Sequence, residues 1–164
     1  MLVNQRQTVL VLFPRIDPLT KGRLPLYCRQ AVEQKGCIEM LNEKLLSVLA
    51  HPADGAISIV TNGADGPHVV NTWNSYITVT SEDKMLIPAA GFVKTERNLN
   101  LNNKATLSIA SREIEGYRGK GTGFIVEGTT RFITAGEEFN HMKEKFSWIR
   151  AVLEVTVVSA KQML

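Results

Sequence analysis

The sequence predicts an α+β domain, mainly β, in which six antiparallel strands form a barrel and three short helices lie between them. Three observations carry this reading. Six β-patterned segments are joined mostly by tight turns. No regular strand–helix–strand alternation is present, which speaks against a doubly wound nucleotide-binding fold. The 164 residues, 44% hydrophobic and 21% charged, suit one core that needs no disulfide or metal.

The elements follow in order. Leu41, Leu45, Leu46, Val48 and Leu49 fall near helical spacing, predicting a helix over 41–50 that His51-Pro52 ends. Residues 56–61 alternate as a strand. The turn residues of 62–67 lead into one long strand, 68–80. After a turn at 81–84 comes a short strand, 85–87, closed by Pro88. Ala89, Ala90 and Gly91 make a small-residue loop before a helix at 94–102. In the strand 105–114, Leu107 and Ile109 alternate with Thr106 and Ser108. A glycine-rich loop, 116–123, precedes the strand 124–134. Phe139, Met142, Phe146 and Ile149 stripe a helix over 137–149, and the valine-rich strand 151–159 is buried by composition.

The formal charge of +3 invites a nucleic-acid or membrane-surface partner. Its placement removes the invitation. Residues 1–39 carry six basic and three acidic side chains, and residues 40–164 are formally neutral. Both cysteines, Cys28 and Cys37, and three of the six prolines lie in the same leader. The compositional break divides the chain into a leader, 1–39, and a domain, 40–164. It suggests Met40 as the native start, with Lys35-Gly36 readily encoded by a purine-rich ribosome-binding stretch. A genuine, partly ordered arm is the alternative. The apolar run at 9–13 is too short for a secretory core or a membrane span, so a cytoplasmic protein is expected. Neither the two cysteines nor His51, His68 and His141 have metal-site spacing, and no metal is expected.

Three stretches carry candidate chemistry. Asn71, Thr72, Trp73, Asn74, Ser75 and Tyr76 set amides and hydroxyls beside two aromatic rings. With strand alternation, neither face of this segment is purely apolar. Such a face suits a planar heteroaromatic ligand with polar edges; equally, it suits an exposed edge strand whose Asn and Thr face water. Gly91, Lys94 and Thr95 open a helix, where free N–H groups, an ammonium and a hydroxyl suit a phosphate. Ordinary helix capping with a solvated Lys94 is the alternative there. Gly119 to Gly123 is neither a P-loop nor a dinucleotide fingerprint, because it runs into a strand without the lysine–hydroxyl pair. A hairpin loop, or one lying over a ligand, fits it. Trp148 ends the last predicted helix as core or as ligand contact. No acid–base pair announces a catalytic residue.

The runs Asp65-Gly66-Pro67-His68, Val70 to Tyr76, Lys94-Thr95-Glu96, Gly121-Thr122-Gly123-Phe124, Phe146-Ser147-Trp148 and Thr156 to Ala160 stand in order. Together they closely resemble the small FMN-binding proteins of the pyridoxamine 5′-phosphate oxidase-like, FMN-binding split-barrel superfamily, over about 40–164. The resemblance implies a six-stranded split barrel that forms a homodimer with one FMN per subunit near the interface. It implies that Lys94 and Thr95 hold the phosphate, with Thr72, Trp73 and Asn74 flanking the isoalloxazine and ribityl chain. Tyr76 and Trp148 are then nearby aromatics, and Gly121, Thr122 and Gly123 close over the cofactor from the second subunit. The apolar end, Met163-Leu164, is unlike a solvated tail and is expected to dock at the same interface. The function implied is electron transfer or a flavin reductase-like role, with NAD(P)H or an unidentified redox partner. An oxidase of a small amine such as pyridoxamine phosphate is the first alternative, and a non-catalytic cofactor-binding or storage module the second. The oxidase needs another basic pocket, and the sequence shows no cluster beyond Lys94, Arg97 and Lys104 to supply one.

Overall fold

Asn42 starts the first helix. Its side-chain oxygen accepts the Leu45 N–H at 2.9 Å, satisfying one of the donors that a helix start leaves unpaired. The helix that follows, α1 (Glu43–Leu49), buries Leu45, Val48 and Leu49. This computed structural model describes residues 41–163. Expectations placed on the leader 1–39, on Cys28 and Cys37, and on Met40 and Leu164 lie outside the described residues.

β1 (Ala56–Gly63) and β2 (Gly66–Trp73) form a hairpin, with Gly66 at φ +97° turning the chain in a conformation that suits glycine. β3 (Thr78–Val79) and β4 (Lys84–Ala89) pair next, followed by α2 (Val93–Leu101). The long hairpin of β5 (Lys104–Glu115) and β6 (Lys120–Ile133) then leads to α3 (Glu137–Lys145) and β7 (Ala151–Gln162). The seven strands make one antiparallel sheet in the order β2-β1-β5-β6-β7-β4-β3.

The mainly-β antiparallel architecture and the three helices match the expectation; the count of six strands does not. The predicted strand 68–80 breaks into β2, a 3-10 turn at Asn74–Tyr76 and β3. Pro88 does not close its strand, because β4 continues through it to Ala89 while pairing with β7. β3 reaches only Met85 and Leu86 of β4, so the N–H that proline lacks has no ladder partner to lose on that side. The predicted loop 116–123 shrinks, since Gly121, Thr122 and Gly123 belong to β6. The Gly116 N–H donates to the Gly119 carbonyl at 2.7 Å, closing the hairpin early. The last helix stops at Lys145, not at 149.

Alternation builds the interior. Ile57, Ile59, Leu107, Ile109, Phe124, Val126, Leu153 and Val155 point inward with α1 packed among them. On the other side of β4 and β7, Leu86, Met142, Ile149 and Val152 form a smaller cluster beneath α3. β7 is therefore buried on both faces, as its valine content suggested. α2 is anchored on β1 by Asn98, whose side chain donates to the Thr61 hydroxyl at 3.2 Å. Gly63 leaves room for that side chain; a Cβ there would collide with it.

Candidate functional site

The segment with the unusual composition is organised by Asn74. Its Oδ1 accepts the Gly55 N–H at 2.6 Å, and its Nδ2 donates to the His51 carbonyl at 3.0 Å, just past the end of α1. The Asn74 N–H donates to the Gly55 carbonyl at 3.1 Å. Beside it, Asp54 accepts both the Ser75 N–H at 3.3 Å and the Ser75 hydroxyl at 3.0 Å. These bonds turn the chain out of β2 and halt the strand alternation. Asn74 and Ser75 thus have their polar groups engaged by the protein itself.

Around them, Asn71 is exposed and its Oδ1 accepts the Ser58 hydroxyl at 2.9 Å across the hairpin. Thr72 is buried. Trp73 stands 46% exposed and Tyr76 is half-buried. Tyr76 joins Phe146 and Trp148 in a tilted aromatic group with centroids 5.2–5.8 Å apart. Trp148 remains 49% exposed, so it is not core. The structure therefore offers two large apolar ring surfaces to solvent, close to the 3-10 turn.

A second corner forms where β4 turns into α2. Phe92 takes the left-handed conformation at φ 52° and supplies no side-chain cap. A non-glycine residue there is strained, a feature common at ligand clamps. The first-turn N–H groups of α2 have no intrahelical acceptor, and the helix dipole adds partial positive charge. Lys94 is exposed in that turn. Thr95 is fully buried, and its Oγ1 has no hydrogen-bond partner among the described residues. Orphaned buried hydroxyls are rare, because the lost solvation is not recovered.

Arg150, which the sequence reading missed, crosses this corner. Its Nε and Nη2 donate to the Gly91 carbonyl at 3.1 and 2.8 Å, and Nη2 also reaches Glu96 at 2.5 Å. A single residue, Ile149, separates it from Trp148, which puts their Cα atoms within about 7 Å. The anion corner and the aromatic group are therefore neighbours. Within one chain, Gly121 and Thr122 are brought toward the Asn74 turn and not toward the α2 corner: the adjacent Gly123 pairs with Ala110, whose carbonyl lies against Gly55, the hydrogen-bond partner of Asn74. Gly121 and Thr122 start β6, whereas its far end, Ile133, pairs with Val152 beside Arg150. The strand between covers on the order of 35 Å at its usual rise. Thr122 is buried and accepts the Gln162 side-chain amide at 3.0 Å.

The charged groups nearby are modestly perturbed. Burial pushes Lys145 down, and its ammonium reaches the Thr78 hydroxyl at 3.4 Å. Burial, then the charge of Lys145, lowers His141. On the outer face of the sheet, Arg131 forks onto Glu154 at 2.6 and 2.8 Å. The hydrogen bond and charge of that carboxylate hold the guanidinium's pKa up. Among the described residues, no cluster of His, Cys, Asp or Glu could hold a metal, and no helix is long and apolar enough to cross a membrane.

Comparisons with known proteins bear on the family and the fold. A family model described as pyridoxamine 5′-phosphate oxidase matches residues 41–163. The FMN-binding protein of Nitratidesulfovibrio vulgaris (strain DSM 19637 / Miyazaki F) is 43% identical over 111 residues, covering 68% of this chain and 90% of that protein. Among solved structures, HupZ of Group A Streptococcus, as a variant, aligns with a TM-score of 0.62 at 16% identity, over 76% of this chain and all of that one. An FMN-binding protein from Syntrophomonas wolfei subsp. wolfei aligns with a TM-score of 0.58 at 17% identity, over 76% of this chain and 86% of that one. The two structural likenesses speak to the fold.

Proposed function

The chain belongs to the pyridoxamine 5′-phosphate oxidase family, and on that premise we propose that it is an FMN-binding flavoprotein with an electron-transfer or flavin reductase-like role. The observation that carries this reading is the unpartnered Thr95 hydroxyl, buried in the first turn of α2. A phosphate oxygen seated at that turn accepts from Thr95, from the free N–H groups and from Lys94. The residues present therefore fit the phosphate end of the cofactor. The 43% identical relative, named for FMN binding, supports the same reading.

When bound, FMN supplies one- and two-electron transfer. The protein's part is placement and shielding. Trp73, Tyr76 and Trp148 offer ring surface for stacking and exclude water from it. Thr72, buried on the other face of β2 from Trp73, is assigned to the ribityl chain in this reading, and the Asn74 turn fixes the angle at which Trp73 and Tyr76 leave the backbone. NAD(P)H or a protein redox partner is the electron donor in this reading.

The reading includes a homodimer. Gly121 and Thr122 lie at the opposite end of β6 from Arg150, and in this reading they reach the phosphate end of the cofactor from the second copy. Exposed Val69, Trp73, Val158 and Met163 supply apolar surface for such an interface.

A specific observation favours the oxidase as a second reading. An open surface hollow at the β5–β6 turn is lined by Tyr117, Arg118, Gly119, Lys120, Gly121 and Met163, and it sets Arg118 and Lys120 together as cations beyond Lys94, Arg97 and Lys104. They suit the phosphate of an amine substrate. Hydrogen peroxide release on adding pyridoxamine phosphate to the flavin-loaded protein supports the oxidase. Reduction by NADH or NADPH without such release supports the reductase or carrier. A purified chain that takes up no FMN contradicts both.

A further inference from the structure

We propose that Arg150 is a further ligand of the cofactor phosphate, held ready at the start of α2 by Gly91 and Glu96. The inference rests on the FMN reading above and extends it to a residue outside the sequence motifs. Arginine carries five N–H donors in a rigid fork. Nε and Nη2 are committed to the Gly91 carbonyl and to Glu96, while Nη1 has no partner among the described residues. Those bonds orient the fork, whose guanidinium lies 5.8 Å from the Phe132 ring centroid, and the backbone beneath it is pinned by the Arg150 N–H, which donates to the Ala89 carbonyl at 3.0 Å. A charged donor pair is thus fixed beside the turn that contains the orphaned Thr95 hydroxyl.

The charge balance points the same way. A helix start already carries partial positive charge, so cations gathered there are unfavourable by themselves. Lys94 and Arg97 lie in and just beyond the first turn of α2, and Arg150 is brought across to it from β7's approach. Among the described residues, Glu96 is the one carboxylate bonded there, and it engages one edge of Arg150. A phosphate of about two negative charges offsets the remainder and accepts from Nη1, Lys94 and Thr95 together. Glu96 and Gly91 are then positioning groups, and Arg150 joins Lys94 and Thr95 in direct contact.

Because riboflavin is FMN without the phosphate, the two flavins separate this role from a structural one. The flavin-stripped full chain is titrated with each, following flavin fluorescence. Arg150→Gln is expected to weaken FMN binding at least about tenfold, the scale of a lost charged hydrogen bond, with riboflavin binding changed less than about twofold. Arg150→Lys keeps the charge and loses the fork, so a smaller FMN loss with riboflavin unchanged is expected. That variant carries the test if the glutamine variant does not fold. Equal losses for both flavins, or no loss for FMN, overturn the proposal. Wild-type protein that binds neither flavin overturns the FMN reading itself, which is a different result from an unaffected Arg150 variant.

Discussion

Asn74 and Gly55 hold each other twice: the Gly55 N–H donates to Asn74 Oδ1 at 2.6 Å, and the Asn74 N–H donates to the Gly55 carbonyl at 3.1 Å. The same side chain, through Nδ2, binds the His51 carbonyl at the exit of α1. One buried amide thus joins the first helix, the entry to β1 and the turn that carries Trp73 and Tyr76. Asn74→Ala is expected to leave several of those groups unpaired and to cost about 2–3 kcal/mol, read from the urea midpoint. Flavin affinity falls with it, because the aromatic side chains lose their fixed angle.

Thr95→Val replaces an unpartnered buried hydroxyl with a methyl of nearly the same shape. The flavin-free protein is expected to gain about 1 kcal/mol of stability, since a desolvated polar group is removed. FMN binding weakens in the same variant. Thermal unfolding with and without FMN checks both halves, and a variant that gains stability while binding FMN unchanged removes Thr95 from the phosphate site. Lys94→Ala combined with Thr95→Ala weakens FMN further, with the fold intact.

Gly63→Ala forces a Cβ into the Asn98 side chain that bonds Thr61. A cost of about 1–3 kcal/mol is expected, as for other overpacked sites. In an Asn98→Ala background the clash is absent and the cost of Gly63→Ala shrinks. Denaturation of the two single variants and the double variant measures that coupling directly.

Glu154 is 5% exposed at its side chain, whereas its partner Arg131 is 62% exposed. Removing the arginine strands a buried carboxylate, with Lys84 at 3.9 Å the nearest remaining cation. Removing the carboxylate merely rehydrates an exposed guanidinium. Arg131→Ala is therefore expected to cost about 2–3 kcal/mol, more than Glu154→Leu, in the same unfolding assay.

His141 gives a pH signature. Its pKa lies below the ordinary histidine value because burial and Lys145 disfavour the charged ring. The unfolded chain then binds the proton more readily, so stability falls as pH drops through about 6.5 and below. The slope is small, since the ring stays partly solvated, and His141→Gln removes it from a series of melting curves across that window.

Local pattern made much of the fold legible. α1 was readable from its leucines and the following proline, and β1, β5 and β7 from alternation or from a valine run. The 3-10 turn was not, because Asn74 is set by Gly55 and His51, 19 and 23 residues away, and nothing local marks those partners. Arg150 stayed hidden for the same reason: Gly91 and Glu96 lie 59 and 54 residues before it. Glu154 did leave a signal, as the single charge inside the apolar run of β7, and a buried carboxylate needs a cation across the strand. The glycines at 119 and 121 suggested a long loop. In the structure their positive φ values, +121° and +113°, instead permit a tight hairpin that returns directly into β6.

Titration of the flavin-stripped full chain with FMN and with riboflavin decides whether the start of α2 holds a flavin phosphate. Saturation at one FMN per chain is expected, with riboflavin bound at least about a hundredfold more weakly, because the start of α2 is built for the phosphate. No saturable FMN binding, or equal affinity for the two flavins, contradicts it.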